Sequence, residues 1–179
     1  DFSADDSLYL NALESNVSNK STKSNLEKTN KYLKTLYEFD IEKPDFRSFA
    51  HYWKISAETE KPTLALLYAL GRDFLLRESA ESVFSTPYGE KVKVEAVEEL
   101  LDSLHPNRFT PKTRKSVAQN LLSSWKQAGY ITGKIKSIRT KAEQSYHTVA
   151  FAMLLAYLHG DRGDLILQSK WVKALDLSE

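Results

Sequence analysis

The chain has 179 residues, 41% hydrophobic and 27% charged, the balance of an ordinary globular protein with material for one sizeable core or two small ones. It has no cysteine, which excludes disulfides, thiol catalysis and thiolate metal sites, and its five prolines and six glycines are too few for a turn-rich β-sandwich. The net charge of +1 hides a segregation: between Asp102 and Glu143 lie nine basic residues and no acidic one, leaving 16 basic against 24 acidic residues elsewhere, a net of −8.

In chain order, Asp5 to Glu14 reads as a short helix carrying Leu8, Leu10 and Leu13. No signal peptide is expected in DFSADDSLYL, which lacks a basic stretch followed by an apolar one. After a polar break, Ser21 or Thr22 is placed to cap a helix whose apolar face is Leu26, Leu33, Leu36 and Tyr37. Lys20, Lys31 and Lys34 fall to one side of it, so residues 1–60 form a helical segment with a candidate helix-turn-helix; a solvated charged face is the competing reading. Pro44 suits the first turn of a helix bearing Phe46, Phe49 and Trp53. Pro62 does the same for TLALLYAL, apolar nearly all round and hence expected to be buried. Gly71 is expected to interrupt before RDFLLRESAESVF continues as helix, with Arg72-Asp73 an internal ion pair or cap, and Pro87-Tyr88-Gly89 marks a turn.

The segment from 92 to 141 is the most legible. Val94, Val97, Leu100, Leu101 and Leu104 recur at helical spacing until His105-Pro106-Asn107 breaks the pattern. Thr110-Pro111 then supplies a cap and a first-turn proline. Val117, Leu121, Leu122, Trp125 and Ala128 form one apolar stripe, with Lys112, Lys115, Gln119, Ser123 and Lys126 opposite. Gly129 suits a left-handed helix end, and Ile131 and Ile135 suggest extended chain turning at Gly133. VAFAMLLAYL, from 149 to 158, is too short to span a bilayer and reads as a buried helix closed by Gly160. A last segment carries Leu165, Leu167, Trp171, Leu175 and Leu177. The expected fold is mainly α, with a helical core over 61–179 and a winged-helix-like element at about 92–141.

Helix, turn, amphipathic helix, glycine and a short basic β segment would place the second helix in a major groove and the β segment along the backbone. Arg108, Lys112, Arg114, Lys115, Lys126, Lys134, Lys136 and Arg139 are the candidate phosphate ligands, since cations at phosphates release condensed counterions. Gln119, Asn120 and Ser123 are of the type that reads base edges. Winged-helix folds also dock proteins, and basic faces are often merely solvated. No catalytic residue, cofactor or metal is expected. His51, His105, His147 and His159 lack ligand spacing, no phosphate-binding glycine loop or nucleophile elbow occurs, and Glu95, Glu98 and Glu99 read as a solvated face. Asp161 and Asp164 flank a turn, where aspartates serve local hydrogen bonds.

Three strings carry a resemblance to a known family: NKSTKSNLEKTNKYLKTL, the apolar run entering GRDFLL, and WKQAGYITG. In that order they resemble the BrxA proteins of bacterial BREX phage-defence systems, with a basic helix-turn-helix first, central helices next and a winged-helix end; GDRGDLILQSKW has no place in the pattern. The resemblance implies a non-enzymatic, cytoplasmic accessory factor that binds double-stranded DNA, without a membrane partner, beside larger defence-system proteins. It carries over Lys20, Lys23 and Lys31 with Lys112, Lys115, Lys126, Lys134 and Lys136 as DNA contacts. Two alternatives differ in what they require. A protein-interaction module would keep its partner after reversal of the basic charges, and a sequence-specific transcription regulator would select a defined operator.

Overall fold

The computed structural model describes residues 15, 19, 21–133 and 135–177, so the expected helix over 5–14, and Lys20 and Lys134, lie outside the described residues. The chain is mainly helical and divides into two compact units, 1–54 and 55–179.

The described part of the first unit holds α1, Lys23–Tyr37, and α2, Pro44–Ile55. Thr22 caps α1, its hydroxyl accepting from the amide of Asn25 at 3.3 Å, and Pro44 opens α2. No residue of α1 is fully buried. Its last turn joins an aromatic cluster in which Tyr37 lies 5.7 Å from Phe39 and 5.5 Å from Phe49, with Phe46 and Trp53 continuing it along α2.

The second unit is built on α3, Lys61–Arg72. Leu64, Leu66, Leu67, Tyr68 and Leu70 are all buried in it, each side chain worth about 1.5–3 kcal/mol over its exposed state. Around it pack α4 (Phe74–Phe84), α6 (Pro111–Gln127), α7 (Tyr146–Leu158) and the short α8 (Lys170–Ala174), while α5 (Val94–Leu104) packs on α4 and α6. The break after α3 falls at Asp73 rather than at Gly71. Asp73 ends α3 and caps α4, its carboxylate accepting from the amide of Leu76 at 3.1 Å. Gly71 is helical, and a Cβ there would stand 3.2 Å from the indole of Trp171, whose Nε1 donates to the Leu67 carbonyl at 3.1 Å. Its smallness therefore serves helix packing.

A second correction concerns α7. Phe151, Ala152, Leu155 and Ala156 are buried, but the opposite face is open, with Tyr146, Met153 and Tyr157 exposed. The helix starts from a capping box between Ser145 and Thr148, and its first turn is tied to the start of α3 by His147 Nδ1 and the Glu60 carboxylate, 3.2 Å apart. The Ser145 hydroxyl, the Ala57 amide and His147 hold the Glu60 carboxyl below the usual carboxylate range. A depressed folded-state value stabilises the fold above the ordinary carboxylate pKa and is lost as pH falls through the lowered one. Glu60→Gln should thus lower the melting temperature at neutral pH, and the gap from the wild type should close as the pH drops into the acid range. Thermal melts across that range check it.

The β element is small. Strands β1, Ile131–Thr132, and β2, Ile138–Arg139, pair antiparallel, Ile131 opposite Arg139 and Thr132 opposite Ile138. On its other edge β2 meets the chain just before α5: the Val92 amide donates to the Ser137 carbonyl (2.8 Å) and the Arg139 amide to that of Glu90 (2.8 Å).

Candidate nucleic-acid interface

Helix α6 is placed by its two ends. At the start, the Thr110 hydroxyl accepts from the amide of Thr113 at 3.2 Å and Pro111 occupies the first turn. At the finish, the Tyr130 amide reaches the Trp125 carbonyl (3.0 Å) and the Gly129 amide that of Lys126 (3.1 Å), with Gly129 at φ +86. That bond pair is a Schellman motif, completed by its usual apolar contact: the Trp125 and Tyr130 rings meet edge to face at 5.2 Å. Trp125, fully buried, also donates from Nε1 to the Ser79 hydroxyl at 2.8 Å, locking α6 onto α4. Trp125 is thus core, and no base can stack on it.

The buried face of α6 is Ala118, Leu121, Leu122 and Trp125. The exposed face begins with Lys112 and Lys115 and continues through Ser116, Gln119, Asn120 and Ser123. Among the described residues, Lys112, Lys115 and Gln119 make no ion pair and no side-chain hydrogen bond. Beyond the helix, the β1–β2 turn needs Gly133: at φ +90 a Cβ would lie 2.2 Å from the Lys136 carbonyl oxygen. That turn presents Ile135, 96% exposed, beside exposed Lys136.

Arg114, Arg108 and Lys126 are engaged within the fold. Arg114 is half-buried and paired with Asp102, the acidic residue at the edge of the basic window. Arg108 lies over the rings of Phe74 (5.0 Å) and Phe109 (5.4 Å). Lys126 is half-buried and donates to the Gly133 carbonyl, tying the helix to the turn. Lys23 and Lys31 are exposed on α1 of the first unit.

Arg139 leaves the candidate set. It is 2% exposed, and its guanidinium donates to the Tyr130 carbonyl at 3.1 Å, to that of Thr140, and to the Asp176 carboxylate. Three rings enclose it, Tyr88 at 5.0 Å, Phe84 at 5.2 Å and Tyr130 at 5.6 Å. The Tyr88 hydroxyl donates to Asp176 at 2.7 Å, and that of Tyr130 to the Ala174 carbonyl at 2.6 Å. Burial pushes the Tyr130 phenol far above its usual range, so it remains a donor at any physiological pH. Arg139 thus pins the hairpin to the C-terminal segment. The residues that sequence reasoning missed are Asp176 and Tyr88, whose separation from β2 along the chain leaves no local signal.

Asp102 joins Glu95, Glu98 and Glu99 in an acidic depression on α5, with Arg114 at its rim. The arrangement is therefore bipolar, an open lysine-and-amide face on α6 and a partly neutralised acidic patch on α5. Among the described residues no group of histidines and carboxylates is placed to hold a metal, and no helix is long and apolar enough to cross a membrane. Comparison with family models, with curated proteins and with solved structures finds no match for this chain.

Proposed function

We propose that the chain binds double-stranded DNA, with α6 entering the major groove and the β1–β2 turn lying along the backbone in the manner of a winged helix-turn-helix. The order of α4, the 89–92 edge, α5, α6, β1 and β2 supports the reading. The observation that carries it is the pair Lys112 and Lys115, exposed and unpaired in the first two turns of α6. Cations there oppose the helix dipole, so they serve the helix poorly and an external anion well. Gln119, Asn120 and Ser123 continue the same face with donors and acceptors of base-reading type.

The resemblance to BrxA proteins gives this activity a setting, an accessory role beside larger defence proteins, and it rests on residue strings alone. The resemblance alone carries over Lys23 and Lys31, and the contacts proposed for α6 and the turn do not involve them. Fluorescence anisotropy of a labelled duplex at several salt concentrations tests the proposal. Phosphate contacts by Lys112, Lys115 and Lys136 should give log K against log salt a slope of about −2.7, near fortyfold weakening between about 50 and 200 mM. Affinity independent of salt would contradict it.

A further inference from the structure

The β1–β2 turn carries an apolar side chain where turns ordinarily carry glycine, asparagine, aspartate or serine. Ile135 is the most exposed large apolar residue among those described, and in sequence it stands between Lys134 and Lys136. A lone surface isoleucine ordinarily asks for no explanation. This one differs in how firmly it is held out.

Three features fix the turn. Gly133 makes its tight bend, since a side chain there would meet the Lys136 carbonyl. Lys126, near the end of α6, donates to the Gly133 carbonyl and so ties the turn to the helix. Strand β2 is bonded along both edges, to β1 and to the chain at 89–92, where the Gly89 amide also reaches the Arg139 carbonyl at 3.0 Å. The turn therefore presents Ile135 to solvent from a fixed base rather than folding it back against the protein.

The chemistry of its surroundings narrows what can cover it. One side chain is far too little for a protein interface, which takes about 1,200 Å² or more. An apolar pocket would also have to strip water from the exposed Lys136 ammonium, with nothing to offset the cost. The minor groove of a duplex meets both demands. Phosphates along its walls take the cation, and an apolar wedge needs only the space between two base pairs.

We propose that Ile135 is such a wedge, entering a base step from the minor groove, partly unstacking it and bending the duplex there. This rests on the duplex-binding reading and adds to it the class of DNA preferred. That class is a duplex already easy to open at the contacted step, through a mismatch or a flexible pyrimidine–purine step. Lys112 and Lys115 supply attachment, and Ile135 supplies the deformation.

The probe is a duplex of about 20 base pairs with one central mismatch, carrying a fluorescence donor at one end and an acceptor at the other. Saturation with the wild-type chain should raise energy transfer, and this duplex should bind about tenfold more tightly than its fully paired counterpart. Ile135→Ala should bind with an unchanged salt slope, because every proposed phosphate ligand remains. It should nevertheless leave energy transfer at the value of the free duplex and lose the preference for the mismatch. The exposed position predicts an unchanged circular dichroism spectrum. Equal bending by Ile135→Ala, or wild-type binding with no gain in transfer, overturns the wedge and leaves duplex binding standing. No salt-dependent binding by either protein overturns duplex binding and the wedge with it.

Discussion

Asp176→Asn should destabilise the second unit by about 3 kcal/mol, a large share of a typical domain's stability. The substitution keeps the shape of the side chain and suits its left-handed backbone, φ +55, so what it removes is the charge. The Arg139 guanidinium, 2% exposed, would then stay buried without its counter-ion. Three aromatic faces and two carbonyls still contact it, which sets the estimate at the lower end of what an orphaned buried ion costs. The double variant Arg139→Met/Asp176→Asn removes both charges and leaves an apolar side chain among the rings, so it should recover much of the loss. Urea unfolding followed by the fluorescence of Trp125 and Trp171 measures both. If Asp176→Asn unfolds at the wild-type midpoint, the pair does not hold the hairpin.

How far the fold could be read from the residues depended on how far apart the deciding partners lie. Caps and stops act over three or four residues. Thr22, Pro44, Thr110-Pro111 and Gly129 all carry the helix ends expected of them. Gly71 was open to misreading because its reason, Trp171, lies a hundred residues downstream, while the real break belongs to Asp73, which ends one helix and caps the next. The periodicity of VAFAMLLAYL says apolar on every side but cannot say how many sides the rest of the chain covers.

The candidate site was legible in outline and less so in detail. An acid-free window of nine cations supplied eight candidate phosphate ligands. Folding separates them by local geometry. Arg114 reaches Asp102 across the α5–α6 turn, Lys126 folds onto the hairpin, and Arg139 faces inward in a strand of two residues, where alternation gives almost no signal. Among the described residues, what remains open on α6 and the turn is Lys112, Lys115 and Lys136, with the amides and hydroxyls between. Fewer phosphate contacts follow than the raw charge count implies, and a correspondingly gentler salt dependence.

Lys112→Glu/Lys115→Glu should reduce affinity for duplex DNA by about a hundredfold near 0.1 M salt. Losing two contacts forfeits about 1.8 log units of counterion release there, and the introduced carboxylates add repulsion. Neither lysine touches the core or pairs within the described chain, so the fold should survive the change, unlike that of Asp176→Asn. The decisive measurement is the anisotropy of one labelled duplex titrated with the wild-type chain and with this double variant, in parallel over the same salt range. The wild type should bind with a slope of about −2.7, and the variant's slope should flatten to about −1 or shallower. Equal affinities and equal slopes for the two proteins would contradict it.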